Sequence, residues 1–165
     1  MNDLILKSAN VGTLEATSTK LSDMGFKAKL VDWNAALTLT ADQSGAWVYA
    51  SDATAGILTL PPCAAGLTYE IFIQKAQTGD THIGAASGEF FEGALLMSDA
   101  DTATENLFFA VANTAEDDFI NLDSDAKGRL AGGYIKLVGD GTKWHVQGRL
   151  NGTGTLATPF HTAES

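Results

Sequence analysis

From Leu37 onward, apolar and polar residues alternate in short runs separated by turn residues, a pattern that predicts β-strands. "ALTLTA" sets Leu37 and Leu39 against Thr38 and Thr40, as in a half-buried strand. After the turn signal "DQSG", "GAWVYA" places Trp47 and Tyr49 on one face. "GILTLPP" opens at a glycine and ends at a double proline, which cannot continue a ladder. The clearest alternation is "LTYEIFIQ", with Tyr69, Ile71 and Ile73 on one side and Glu70, Phe72 and Gln74 on the other. "DTHIGAAS" is a weak, glycine-containing candidate.

Residues 89–113 read two ways. Thr102 and Glu105 stand at capping-box spacing, which admits a helix. Leu107, Phe108, Phe109, Ala110 and Val111 read instead as a buried strand, and their aromatic and β-branched content favours it. "DDFINL", "GGYIKLVG" and "TKWHVQGRL" complete the set. The last two flank Gly139, Asp140, Gly141 and Thr142 and so predict a hairpin. Trp144 and Val146 share one face of it, with His145 and Gln147 on the other. About eight such runs, with no repeat of fixed period, predict one all-β domain. Its expected form is a sandwich- or barrel-like antiparallel domain.

The two ends differ from this middle. Residues 1–33 carry Leu4, Ile5, Leu6, Val11 and Leu14 among Ser, Thr, Lys and Asn, without a sustained period. Such a stretch is either an unstructured chain end or an extended arm that orders on a partner. Taken as an arm, it makes those five apolar residues the candidate contacts. The expected organisation is therefore an N-terminal arm over 1–33, a β-domain over 34–150 and a Gly/Thr-rich tail over 151–165.

Composition narrows the partners. The 165 residues include 45% hydrophobic and 18% charged residues, enough to bury a core. Lys and Arg total 10 against 20 Asp and Glu, a formal charge of −10, which repels phosphate backbones and anionic membranes. Neither a nucleic acid nor a membrane is expected as partner. No apolar run approaches the ~20 residues of a membrane helix, and the start lacks the apolar core of a secretory signal. Cys63 is the single cysteine, so no internal disulfide forms, which fits assembly in a reducing cytoplasm.

The search for chemistry returns nothing organised. The glycine-rich "GDGTKW" and "GTGTL" follow no phosphate-loop pattern, and no nucleophile-elbow motif is present. His82, His145 and His161 lack metal-ligand spacing. Cys63 has no neighbouring base in sequence to activate it. "LDSDAKG" sets Asp123, Asp125 and Gly128 at positions one, three and six of a calcium loop. Lys127 then stands at position five and Tyr134 at twelve, where oxygen ligands belong. No catalytic residue, cofactor or metal is expected, and the chain is read as a non-enzyme.

Two stretches carry a likeness. "SDATAGILTLPPCAAGLTYEIFIQKA" and "GGYIKLVGDGTKWHVQGRLNGTG" together resemble virion proteins of tailed bacteriophages. The shared pattern is a strand ending in Leu60-Pro61, a small-residue turn, Gly66 and an aromatic-bearing strand over residues 69–73. Gly141, Thr142, Lys143 and Trp144 follow in a hairpin. Among such proteins the chain is most similar to capsid decoration proteins, because it has an arm-like start and no shaft repeats. That resemblance implies a small, β-rich and often trimeric protein on the capsid's outer surface. Its implied partners are the major capsid protein and further copies of itself, after assembly in the host cytoplasm. A tail-fibre or receptor- and glycan-binding module, using loops such as residues 84–93, is the alternative.

Overall fold

The computed structural model describes residues 29–101, 106–110 and 116–162. Within these residues lie twelve strands. In chain order they are β1 (Leu30–Trp33), β2 (Leu37–Thr38), β3 (Ala46–Ala50), β4 (Ile57–Thr59), β5 (Thr68–Ile73) and β6 (His82–Gly84). The others are β7 (Phe90–Asp99), β8 (Asn106–Ala110), β9 (Phe119–Asn121), β10 (Gly133–Gly139), β11 (Lys143–Gly152) and β12 (Phe160–His161). They form a seven-stranded sheet, ordered β1-β3-β5-β10-β11-β7-β8, and a five-stranded sheet, ordered β12-β9-β6-β4-β2. The all-β expectation therefore holds.

The antiparallel expectation is corrected, because both sheets are mixed. β1, β3 and β5 run parallel to one another, as do β2, β4 and β6, and β7 runs parallel to β11. The cause is the path of the chain: from β1 to β6 it enters the two sheets alternately, so each return to a sheet is a crossover and not a hairpin. The spacing of these returns is uneven, with Leu30 opposite Trp47 but Ala46 opposite Tyr69. No fixed period is written in the sequence for that reason.

The strongest local patterns hold. Tyr69, Ile71 and Ile73 of β5 are buried, and Glu70 and Phe72 face the other way. β10 and β11 form the expected antiparallel hairpin, with Trp144 and Val146 inward and His145 and Gln147 outward. Two readings change. β8 is a strand, but an exposed one: among the described residues it lies at the edge, paired to β7 alone, and leaves Phe108 75% accessible. The 84–93 segment is not a loop throughout, since its last four residues begin β7. β7 is the long strand the pattern hides: Phe90-Phe91 and Glu92-Gly93 break its alternation, and Gly93 sits at φ +131 against β11.

Both sheets contribute to one core. Val48, Tyr69, Ile71, Leu95, Met97, Leu137 and Trp144 come from the large sheet, and Leu58, Ile83 and Ile120 from the small one. Full burial of an aliphatic or Phe side chain is worth about 1.5–3 kcal/mol, so this cluster is the main source of stability. A buried amide ties the β3–β4 loop to the β5–β6 loop. Gln77 Oε1 accepts from Ala55 N–H and Thr81 Oγ1, and its Nε2 donates to the carbonyls of Asp52 and Lys75.

β1 occupies the last residues of the 1–33 segment and pairs with β3. The end of β11 and all of β12 fall within 151–165. The arm residues Leu4, Ile5, Leu6, Val11 and Leu14, the Thr102/Glu105 pair and Val111 lie outside the described residues.

Candidate interaction surface

Each strand of the large sheet that sends a residue into the core sends its neighbours outward, and register aligns those neighbours in rows. One row runs Asp32, Tyr49, Phe72, Tyr134, Arg149, Leu96 and Phe108, from β1 across to β8. The next runs Leu30, Trp47, Glu70, Lys136, Gln147, Ala94 and Ala110. On β3 the core face is taken by Ala46, Val48 and Ala50, which turns the larger Trp47 and Tyr49 to the outside. Leu30 remains 67% accessible and Trp47 40%.

The rings form one contiguous patch. Phe72 stacks on Tyr49 with centroids 5.1 Å apart and an interplanar angle of 19°. It meets Tyr134 at 5.2 Å and Trp47 at 5.7 Å in tilted contacts. Such pairs add about 0.5–1.5 kcal/mol beyond their buried area. Burial, and then the adjacent Glu70 carboxylate, raise the Tyr134 hydroxyl above its ordinary range, so it stays a neutral donor to Glu70. Charges lie within and beside the apolar strip: Asp32 on β1, Glu70 on β5, Lys136 on β10 and Arg149 on β11.

The β10–β11 turn is set by Asp140. Its Oδ1 accepts from Thr142 N–H at 2.7 Å, Thr142 Oγ1 at 2.8 Å and Lys143 N–H at 2.8 Å, and its Oδ2 lies 2.8 Å from His145 Nε2. The Lys143 N–H foremost, then His145 and Thr142, hold the Asp140 carboxyl far below the usual carboxylate range. Lys143 Nζ lies 2.8 Å from Glu92 Oε2, lowering the Glu92 carboxyl and raising the Lys143 ammonium. On the inner side, Trp144 Nε1 donates to Glu89 Oε2 at 3.2 Å, and Cys63 N–H donates to Glu89 Oε1 at 2.7 Å.

These shifts fix a pH dependence. A carboxyl whose folded value lies below its unfolded value of about 4 stabilises the fold above that pH and loses the contribution as pH falls. Tm measured by circular dichroism is therefore expected to drop between pH 6 and pH 3. Asp140→Asn should narrow that difference, because one of the lowered groups is gone. An unchanged difference in the variant would rule Asp140 out as a contributor.

The calcium-like turn is neutralised by the chain itself. Gly128 takes the left-handed conformation at φ +86. Lys127 Nζ stands 3.1 Å from Asp123 Oδ2, and Arg129 Nε 2.7 Å from Asp125 Oδ1. Two side-chain cations thus occupy the carboxylates a metal would use. Among the described residues, no group of three or more His, Cys, Asp or Glu is placed to hold a metal ion. The histidines have separate surroundings. His82 is buried with Nδ1 2.8 Å from Asn121 Oδ1, His145 meets Asp140, and His161 Nε2 lies 3.2 Å from the Thr158 carbonyl.

No motif marks this surface in the sequence, although a signal for it is present. Positions out of phase with the core on β3, β5 and β10 are aromatic where a solvated face would be polar. Comparisons of the chain with known protein families, with curated proteins and with solved structures found no match.

Proposed function

We propose that the chain is a structural virion protein that binds the outer surface of an assembled phage capsid and stabilises it. The observation that supports an assembly role is the outer face of the large sheet. Leu30, Trp47, Tyr49, Phe72 and Tyr134 lie side by side there, on strands held in register by their neighbours. Contiguous apolar patches of this kind mark interaction surfaces. The phage assignment rests on the resemblance, and its two stretches pack as one unit. Gly66 N–H donates to the Gly139 carbonyl at 2.9 Å, and Gly139 N–H to the Leu67 carbonyl at 2.8 Å.

In this reading the two sheets close as a sandwich, subunits associate as a homotrimer, and residues 1–33 reach the major capsid protein through Leu4, Ile5, Leu6, Val11 and Leu14. No catalysis or cofactor enters. A protein that binds the intact lattice and not its dissociated parts stabilises the lattice by linkage, and several weak contacts per oligomer act together.

Co-sedimentation with heads lacking decoration tests it. The full chain is expected to pellet with heads, and a chain without residues 1–20 to remain folded by circular dichroism while binding at least about tenfold more weakly. No binding of the full chain would overturn the capsid reading, and full binding by the folded truncation would overturn the arm. The second reading, a host-glycan or receptor module, draws on the same aromatic row with Asp32, Glu70 and Arg149 as polar partners. Sedimentation with host cells in place of heads would favour it.

A further inference from the structure

We infer that the outer face of the large sheet pairs with the same face of a second copy, about a two-fold axis that lies along β5 and passes Phe72. The inference rests on reading that face as an assembly surface, and it names the occupant. Strands are about 4.8 Å apart, so Asp32 and Arg149, each two strands from β5, lie roughly 10 Å to either side of Phe72. The row Asp32, Tyr49, Phe72, Tyr134, Arg149 is therefore complementary to its own reversal. Rotation about the axis sets Phe72 on Phe72, Tyr49 on Tyr134, and Asp32 on Arg149 of the second copy, twice over.

The neighbouring row agrees in part. Rotation brings Trp47 over Lys136 of the second copy, a cation facing an aromatic ring, and Leu30 over Gln147. Glu70 meets Glu70 at the axis, with a Lys136 from each copy one strand away. A two-fold axis across the strands, running along this same row, would set Asp32 on Asp32 and Arg149 on Arg149. Like charges in contact disfavour that arrangement. Asp32 is also held in place, since Ser51 Oγ donates to its Oδ1 and Asn34 Nδ2 to its Oδ2 at 3.1 Å.

The test uses the full chain in analytical ultracentrifugation at micromolar concentration. The expected mass is that of two chains, or of six where a three-fold contact also forms, because the two symmetries together generate a dihedral hexamer. One or three chains would overturn the pairing. Asp32→Arg and Arg149→Asp are each expected to weaken it at least about tenfold, since both ends then carry like charges. Mixed in equal amounts, the two variants should restore it, because every contact again sets a cation against a carboxylate. Wild-type association of either variant alone, or no rescue on mixing, would sink the inference. Should a charge reversal fail to fold, Trp47→Lys gives a second route. That residue is already 40% accessible, and its lysine would face Lys136, weakening the pairing to a similar degree. Pairing as tight as wild type in Trp47→Lys would also overturn it. Head binding is measured on the same samples, so loss of pairing geometry and loss of the capsid reading are separately visible.

Discussion

Gly93→Ala is expected to lower Tm by roughly 10 °C or more. Gly93 holds φ +131 in the middle of β7, a conformation that side chains rarely adopt. A Cβ there would stand 2.1 Å from the Val146 carbonyl oxygen, well inside contact distance. That oxygen belongs to β11, which is fixed between β10 and β7, so the obstacle cannot swing aside as a side-chain tip would. Backbone strain of about 1–3 kcal/mol adds to an overpacking term of similar size, against a total stability of about 5–15 kcal/mol. Gly45→Ala is the matched control. It has φ +79 with nothing within 4 Å of the added carbon, so it carries the strain without the clash and should melt several degrees higher. Equal melting of the two variants would contradict the account.

Trp144→Ala is expected to cost about 3–5 kcal/mol, read as a lower urea midpoint. The indole is fully buried, lies 5.8 Å from the Tyr69 ring, and donates to Glu89. Truncation leaves a cavity in the large-sheet part of the core and removes one of the two donors that hold Glu89. Trp144→Phe keeps most of the volume and loses only the N–H, so it should cost clearly less, about 1 kcal/mol for a hydrogen bond to the half-buried Glu89. If the Phe variant proved as unstable as the Ala variant, the hydrogen bond and not the packing would be the dominant contribution.

What could be read from the residues follows from how local each signal is. β5 and the β10–β11 hairpin were legible because alternation and a turn sequence are written within a few consecutive positions. β6 was faint because His82, Ile83 and Gly84 are all buried, which leaves no alternation to see. β7 was missed because paired phenylalanines and a glycine interrupt its period, and its main partner, β11, lies far along the chain and parallel. The exposure of β8 is not legible because Leu107 and Phe108 carry the composition of a core strand, and nothing local says that a sheet stops there. Parallel pairing as a whole was illegible, since no turn records it. For the surface, alternation put Trp47 and Tyr49 on one side, but only tertiary pairing decided that the side faces out.

The place of the hairpin in the large sheet also governs when that sheet can exist. β10 and β11 sit between β5 and β7, so the strands made earlier form two separate pieces, β1-β3-β5 and β7-β8, with no contact along the sheet until the hairpin enters. During synthesis those pieces leave the ribosome with open inner edges, and the sheet closes only after residue 152 has emerged. Closure joins Lys143 to Phe90 and Gly133 to Ile73 across long loops, which places this chain among slow-folding, high-contact-order topologies. A nascent chain stalled before Gly133 would expose, on both pieces, the edges that the β10–β11 hairpin covers.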